Sequence, residues 1–366
     1  MKVTKQVLEN RFKKFFSSIT KKDRVAVIHH TDPDGVCSGV IAAKLVERLR
    51  GKKIDLRLNQ KGNVHFITKQ TYKKLKAGKI NKVIITDLTV DETPAYFKKI
   101  EKFADTLVLD HHAIYRNFNS KKTIMIKPQM FCKIPPNTYT ASKLTYDFGC
   151  SIADITDLDW IAAVGLIGDI AARSWKAWLT NVFKKYKIKT NKDLFKTGLG
   201  EVAILISSAE SYDVKNVKLS FDILYNSESY KNVLKSKLNR FRKIIDDEIT
   251  YYLHNIKKQA IFEGDFIYYE IQPRYHTKSP LSTILGLKYP HKSIIVVDTR
   301  QNPISISARR NDAKLKINHL LKDAAQGIKG VSGGGHAVSA GALIPKKSFC
   351  KFKINLFRLL RKEVKQ

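Results

Sequence analysis

Three residues at the end of an apolar run could together bind a metal ion. In the segment RVAVIHHTDPDGVCSG (residues 24–39), His30, Asp32 and Asp34 stand at alternate positions before a glycine. Alternate side chains of an extended backbone point to one side, so two carboxylates and an imidazole would converge. Two nearby carboxylates repel unless a cation lies between them, and oxygen ligands with one imidazole suit Mn²⁺ or Mg²⁺. The same letters are also typical of an Asp-Pro-Asp-Gly turn, so this stretch alone leaves both interpretations open.

Acidic residues and histidines also follow two later apolar runs. Asp87 ends the run VIITD, and the run LVLDHH ends in Asp110, His111 and His112. In a doubly wound parallel sheet, ligands bind beyond the carboxyl ends of the strands. We therefore expect these side chains to meet at the same edge as His30.

A fourth candidate position, Asp169, lies in the apolar segment AAVGLIGDIAA, which is typical of a buried helix. An unpartnered carboxylate in such a place costs several kcal/mol and is rare. A shared metal ion would supply the partner, and a helix-capping role is the alternative. The histidines outside the acid-rich runs are interpreted as core or surface residues, and strand alternation turns the first of them away from the acids: His29, His65, His254, His276, His291 and His319.

The elements that must position these residues alternate between strands and helices. The first half contains RVAVIHH, the helix SGVIAAKLVERLR, KVIITDL, the helix PAYFKKIEKFA and TLVLDHH. This order predicts right-handed crossovers and a doubly wound parallel sheet in an α/β fold. Apolar residues spaced three and four apart from Leu234 to Ile256 predict one long amphipathic helix that links two domains. A second α/β pattern begins at about Ile261.

The second pattern contains a glycine-rich segment, SGGGHAVSAGA (residues 332–342). Its glycines would let the backbone approach an anion closely. We expect His336 to open a helix whose N-terminus favours phosphate. A flexible turn is the alternative interpretation.

The composition limits the classes of partner. Lys and Arg number 67 against 33 Asp and Glu, so the 366-residue chain carries a formal charge of +34, which attracts polyanions such as nucleic acid. The four cysteines form no CxxC pair, which argues against a zinc ribbon and a disulfide framework. The N-terminus lacks the apolar centre of a signal peptide, and the longest apolar run is short. We expect a soluble cytoplasmic protein with no membrane partner.

Five motifs in order, HTDPDG, TDLT, LDHH, GDI and SGGGHAVSAGA, give the chain a family resemblance. It resembles the DHH phosphoesterases that carry a DHHA1 domain, most closely the RecJ-like single-strand nucleases. The resemblance implies two divalent cations, preferably Mn²⁺ or else Mg²⁺, held by His30, Asp32, Asp34, Asp87, His111 and Asp169. It further implies that Asp87 bridges the ions, His112 contacts the scissile phosphate and Asp110 orients the imidazoles. The division of Asp32 and Asp34 between the ions stays open.

The same resemblance implies a substrate-binding domain. Arg309, or equally Arg310, with Gly334, Gly335 and His336 would hold the nucleic-acid backbone or terminus. The expected architecture is a DHH catalytic domain over residues 1–190, a helical connector over 191–258 and a smaller mixed α/β DHHA1 domain over 259–366. A cleft between the two domains would admit only a narrow strand.

These expectations predict a two-metal, single-strand-specific exonuclease that acts on DNA, RNA or both. The alternatives are a phosphodiesterase for short oligonucleotides or cyclic dinucleotides, and a catalytically silent scaffold of the replication machinery. Hydrolysis of pyrophosphate is a more distant option, which the DHHA1-like segment disfavours. Replication or repair proteins are expected as partners. The short, Lys-rich chain looks like an archaeal relative, and it leaves polarity and sugar preference open.

Overall fold

The predicted alternation of strands and helices is present in the computed structural model, which describes residues 3–60 and 64–363. The chain forms two compact units that divide between Arg242 and Lys243. The division of the sequence at residues 190 and 258 into domains and connector stays a prediction.

The first unit contains five strands and ten complete helices in the described residues. The strands are β1 (Val25–His29), β2 (Leu56–Asn59), β3 (Lys82–Thr86), β4 (Asp105–Leu109) and β5 (Thr123–Ile126). The helices are α1 (Lys5–Ser17), α2 (Pro33–Arg50), α3 (Lys69–Ala77), α4 (Phe97–Ile100), α5 (Ala141–Cys150), α6 (Asp159–Gly168), α7 (Lys176–Lys185), α8 (Gly198–Tyr212), α9 (Val217–Asn226) and α10 (Tyr230–Leu234). Short 3-10 turns cover 128–130, 136–138, 156–158, 172–175, 194–196 and 214–216.

The five strands form one parallel sheet in the order β2-β1-β3-β4-β5. Strands β1 and β3 are buried along their whole length, as expected when helices cover both faces of a parallel sheet. Strand β1 has β2 on one side and β3 on the other, so the strand order changes direction between β1 and β3. The carboxyl ends of these two strands form the switch point where ligands bind in such folds. The predicted α/β doubly wound sheet is confirmed.

Helix α2 begins at once after β1 because its first residues cap it. The Asp32 side chain accepts a hydrogen bond from the Gly35 backbone N–H, and Pro33 occupies the first helical position. Gly51 ends the helix in the left-handed conformation, with φ of 69°. The Asp-Pro-Asp-Gly letters thus start a helix and do not reverse the chain.

Helix α11 (Asn239–Gln259) leads into the second unit, which contains a six-stranded sheet. Its strands are β6 (Ile261–Glu263), β7 (Phe266–Ile271), β8 (Ser293–Asp298), β9 (Ile304–Arg309), β10 (Ser332–His336) and β11 (Ser339–Ile344). Its helices are α12 (Lys278–Lys288), α13 (Ile317–Ala324) and α14 (Phe349–Glu363), with a 3-10 turn at 346–348. The sheet order is β10-β11-β9-β8-β7-β6, and only β7 and β8 pair in parallel, which confirms the predicted mixed α/β unit.

Two predicted helices are wrong. The long helix expected from Leu234 to Ile256 is broken, because α10 ends at Leu234 and the Asn239 side chain donates hydrogen bonds to the Leu234 and Ser236 carbonyls before α11 begins. The helix expected at His336 is a β-hairpin, in which β10 pairs antiparallel with β11 and His336 faces Ser339. The alternating small residues of this segment fit a strand as well as a helix, and pairing with β9 decides for the strand. Among the helices of the described residues, none is long and apolar enough to cross a bilayer.

Candidate metal centre

The predicted ligands gather at the carboxyl ends of three neighbouring strands. His30 follows β1, Asp87 follows β3, and Asp110, His111 and His112 follow β4. Asp87 has a left-handed backbone, with φ of 59°, and its N–H donates to the Leu109 carbonyl of β4. Asp and Asn tolerate this conformation better than most residues, because their short polar side chains bond locally. The turn out of β3 therefore presents the Asp87 carboxylate between its two neighbours.

The first potential ligand group contains His30, Asp32 and Asp87. Their ligand atoms lie within 4.8 Å of one another. His30 Nδ1 is 3.0 Å from Asp32 Oδ2 and 3.6 Å from Asp87 Oδ2. The extended alternation used to predict this group is wrong beyond His30, because Asp32 caps α2. The Asp32 carboxylate nevertheless lies next to His30, because Asp32 is the capping residue at the start of α2.

The second potential ligand group contains Asp34, His111 and Asp169, again within 4.8 Å. His111 Nε2 is 4.0 Å from Asp34 Oδ2 and 3.7 Å from Asp169 Oδ2. The Asp34 carboxylate accepts the backbone N–H groups of Ala141 and Ser142 at the start of α5, at 2.7 and 2.9 Å. Asp169 is the residue that ends α6, so it does not cap a helix N-terminus. In the structure, Asp32 lies in one of these groups and Asp34 in the other.

Asp87 lies between the two groups. Its Oδ2 faces His30, whereas its Oδ1 is 3.3 Å from His111 Nε2. Oδ1 is fully buried and makes no well-aligned hydrogen bond within the described residues. Burial, with Asp32 close by, raises the pKa of Asp87 well above its usual range. Too little positive charge therefore surrounds the Asp87 carboxylate to stabilise its ionised form. Divalent cations would supply that charge, and they fit the oxygen and imidazole donors around it.

The His111 ring is held in one orientation, and His30 lies between two carboxylates. His111 Nδ1 is 3.1 Å from the Pro136 carbonyl, to which it donates, so Nε2 is the atom that faces Asp87 and Asp169. Burial opposes a charge on His30, but Asp32 and Asp87 outweigh it and raise the pKa of His30 to about 10. The protons on these rings are the local counter-charges that a metal ion would replace.

His112 is paired with Asp110 behind the centre. His112 Nδ1 lies 2.7 Å from Asp110 Oδ1, and the backbone N–H of His112 donates to the same oxygen at 3.3 Å. The carboxylate thus accepts a hydrogen bond from the Nδ1–H group of the imidazole. Burial lowers the pKa of His112, which favours the neutral ring. A neutral imidazole with Nδ1–H has its other nitrogen as an acceptor.

Two glycines permit the close packing around the carboxylates. A Cβ on Gly165 of α6 would lie 2.3 Å from Ser142 Oγ and 2.8 Å from Asp34 Oδ1. A Cβ on Gly35 would lie 2.5 Å from His30 Cβ. Helix α6 therefore passes directly over Asp34, and no larger residue fits at Gly165 without displacing it.

The predicted substrate-binding residues lie at one end of the second sheet. Arg309 pairs with Ser339, which pairs with His336, so the three side chains lie on one face in a row across β9, β11 and β10. Gly335 has φ of 132°, and a Cβ on it would lie 2.5 Å from the Ser339 carbonyl oxygen. Around Gly334 there is space, since no heavy atom of the described residues would meet a Cβ within 4 Å.

Arg310, the alternative to Arg309, has a different place. It is buried, and its guanidinium pairs with Asp312 at 2.8 Å and reaches Ser293 Oγ at 3.3 Å. These contacts tie the end of β9 to β8. Of the two arginines, Arg309 is the one in the row with His336.

Comparison with known proteins identifies the fold and one domain. The family model for the DHHA1 domain matches residues 267–365, which form most of the second unit. The solved DHH domain described as a member of the s1p family of ribosomal proteins matches 97% of this chain and 88% of its own, with a TM-score of 0.73 at 15% identity. This chain has the fold of the DHH-domain proteins, with a DHHA1 domain in its second unit.

Two further relatives extend the comparison of the DHH fold. A crystal structure of exonuclease RecJ bound to manganese matches 95% of this chain and 93% of its own, with a TM-score of 0.68 at 14% identity. The uncharacterized protein MJ0831 of Methanocaldococcus jannaschii is 30% identical over 154 residues. That match covers 40% of this chain and only 33% of the length of the curated relative.

Sequence reasoning missed three residues around the candidate metal centre. The His65 ring stacks on His30, with centroids 4.4 Å apart, and meets the His112 ring edge-on at 5.7 Å, a position that its interpretation as a core or surface residue did not indicate. Glu210 of α8 interacts with Asp32, and burial with this neighbour raises its pKa to about 7. Lys127 lies 2.8 Å from Asp110. His65 stands in an irregular segment with no periodicity, whereas Lys127 directly follows the apolar run TIMI and could have been found.

Proposed function

We propose that this chain is a metal-dependent phosphodiesterase that removes nucleotides from an end of single-stranded DNA or RNA. The observation that carries the proposal is the position of Asp87, whose two oxygens face two separate groups of metal-ligand type. A site with one metal ion would need no shared carboxylate. Two adjacent groups with a common acid fit a pair of divalent cations.

The proposed ligands are His30, Asp32 and Asp87 for one ion and Asp34, His111 and Asp169, with Asp87, for the other. When bound, such ions neutralise phosphate charge and generate hydroxide from water near neutral pH. The chain's own residues prepare the place. The start of α5 orients Asp34 through two N–H groups, and the Pro136 carbonyl orients His111. The manganese in the RecJ structure supports Mn²⁺ as one of the cations used.

His112 is proposed to contact the scissile phosphate. The Asp110 carboxylate holds the Nδ1 proton, so the ring is kept in one tautomer and one orientation. Because the ring is already fixed, little rotational freedom is lost when substrate binds. Asp110 thereby acts through His112 and not on the substrate itself.

Arg309, Gly334, Gly335 and His336 are proposed to hold the nucleic-acid backbone. The open backbone at Gly334 allows close approach of a phosphate, and Arg309 supplies a planar donor group. The excess of 34 positive charges favours a polyanionic substrate over a small neutral one. The four cysteines are free, which fits a reducing compartment, and we extend the proposal to a cytoplasmic enzyme of DNA replication or repair.

The test uses single strands labelled at either terminus, from dinucleotides to long oligonucleotides, as DNA and as RNA. With Mn²⁺ we expect stepwise shortening by the wild type, none after EDTA, and none by Asp34→Ala or Asp87→Ala. Asp193→Ala changes an exposed cap of a short 3-10 turn and should stay active. Equal activity in all variants would identify a contaminant. Cleavage of dinucleotides with long strands untouched would replace the exonuclease by a short-oligonucleotide phosphodiesterase.

A further inference from the structure

A buried lysine lies at the carboxyl end of β5 in the first sheet. Lys127 directly follows β5, and its side chain is fully buried. Its Nζ is 2.9 Å from Asp91 Oδ1, 2.8 Å from Asp110 Oδ2 and 2.8 Å from the Ala113 carbonyl oxygen. Both carboxylates are also fully buried, so all three charges are removed from water.

Such a cluster is an expensive way to stabilise a fold. Desolvation of a buried ion costs several kcal/mol, and replacing a buried ion pair by apolar residues is often neutral or stabilising. Well-packed leucine or methionine in the place of Lys127 would serve a purely structural purpose. The cluster therefore points to a requirement for charge or for orientation at this place.

The contacts show what the charge orients. Asp110 uses its two oxygens differently: Oδ2 lies against Lys127, and Oδ1 accepts from His112 Nδ1. With Oδ2 held by the ammonium, rotation of the carboxylate away from the imidazole would break a fully buried ion pair.

Asp91 completes the support. Its Oδ2 accepts the backbone N–H of Tyr115 at 2.9 Å, and Arg116 N–H lies at 3.4 Å from the same oxygen. Lys127 binds the Ala113 carbonyl in the same segment. The residues that immediately follow His112 are thus tied to the same ammonium as Asp110, so Lys127 fixes the backbone on one side of His112 and the carboxylate on the other.

We propose that Lys127 is a positioning residue that acts through Asp110 to hold the His112 imidazole in its Nδ1–H tautomer facing the substrate. The proposal rests on the hydrolytic function proposed above and adds a member to its machinery. It differs from a structural role in its consequence for the chemical step. Loss of the ammonium should reduce turnover far more than substrate binding.

The chain offers a matched control in Lys143 of α5. This lysine is also buried, pairs with Asp147 and lies over the rings of Trp175 and Trp178, with Nζ 4.1 and 4.6 Å from their centroids. Within the described residues, its ammonium contacts Asp147 and aromatic rings, none of which is a proposed ligand. Lys127→Met and Lys143→Met therefore each remove one buried ammonium from one Asp-paired site of the same unit.

The experiment measures kcat and KM on an end-labelled single strand with Mn²⁺, below the unfolding temperature of each variant. We expect Lys127→Met to lower kcat by about 10- to 100-fold, the range for groups that orient a catalytic ligand, with little change in KM. Lys143→Met, whose single carboxylate partner is partly exposed, should also lose stability, to a smaller extent, and should keep kcat near the wild-type value. Wild-type kcat in folded Lys127→Met, or equal losses in both variants, would overturn the proposal. Lys127→Gln keeps a neutral donor and replaces Lys127→Met if that variant does not fold.

A spectroscopic measurement separates this proposal from the proposed function. In protein labelled with ¹⁵N-histidine, the ring nitrogen shifts report the tautomer of His112. We expect the Nδ1–H form in the wild type and in Lys143→Met, and a mixture in Lys127→Met. If the wild type hydrolyses no strand, the proposed function fails, and these shifts still decide whether Lys127 controls His112. An unchanged His112 tautomer in Lys127→Met would refute the role.

Discussion

The position of Asp87 between the two potential ligand groups makes the substitution Asp87→Asn a sharp test of the proposed metal centre. Without metal, burial and the neighbouring Asp32 favour the neutral form of this carboxyl group, and asparagine has nearly the shape of that form. Asparagine also tolerates the left-handed backbone at this position. We therefore expect the metal-free variant to unfold within about 1 kcal/mol of the metal-free wild type, a typical margin for a well-tolerated substitution.

With metal the two proteins should differ strongly. Even at 4.8 Å, the limit of the separations between these ligand atoms, a divalent cation would be attracted to one carboxylate by about 7 kcal/mol at an effective dielectric constant of about 20. Binding at 100 times Kd stabilises the wild type by about 2.7 kcal/mol, or about 5 to 11 °C in Tm for a unit of this size. A 100-fold loss of affinity, far less than the Coulomb attraction permits, reduces that gain to about 0.4 kcal/mol.

The assay is thermal unfolding at fixed pH over a series of Mn²⁺ concentrations. Asp193→Asn, which changes an exposed capping carboxylate in the same unit, should keep the full metal-induced rise in Tm. A wild-type rise in Asp87→Asn would refute the bridging role of Asp87. A metal-free variant destabilised by several kcal/mol would refute the argument that the uncharged form is tolerated there.

Three further predictions concern packing, titration and charge. Gly165→Ala places a methyl group 2.8 Å from Asp34 Oδ1 and should lower the free energy of unfolding by about 1 to 3 kcal/mol, measured with denaturant, whereas Gly334→Ala should not. Burial lowers the pKa of Lys278 to about 8, so its charge destabilises the folded state below that pH, and this destabilisation disappears as the pH rises toward the pKa of an unfolded lysine. The stability advantage of Lys278→Met over wild type should therefore shrink by up to about 3 kcal/mol between pH 7 and pH 10. An advantage that is independent of pH would contradict this assignment. In fluorescence titrations, log affinity for single strands should fall with log salt with a slope of about −0.7 per neutralised phosphate, and a flat dependence would exclude backbone recognition.

The positions of the strand ends could be predicted from the sequence because each apolar run stops abruptly at an acid or histidine. Asp87 and Asp110 follow their strands as expected, and both ligand groups gather at the carboxyl edge of the sheet. The division of Asp32 and Asp34 could not be predicted. It depends on a helix that starts at Pro33, one residue after Asp32, and a shift of that start would turn Asp34 elsewhere.

The remaining failures have local physical causes. The segment after His336 consists of small residues that fit a helix or a strand, and only pairing with β9 selects the hairpin. The break after Leu234 depends on a side-chain bond from Asn239 that apolar spacing does not reveal. His65 reaches the centre from a segment without periodicity, where no pattern indicates direction.

The left-handed turn at residue 87 restricts how this site could decay through neutral drift. Bulky or β-branched side chains are strained in that conformation, so the tolerated replacements are chiefly asparagine and glycine. A descendant that lost the carboxylate at residue 87 while retaining its architecture would then most easily carry one of these two residues there. Such a change would remove a titratable group from the interior and leave the turn at the end of β3 intact.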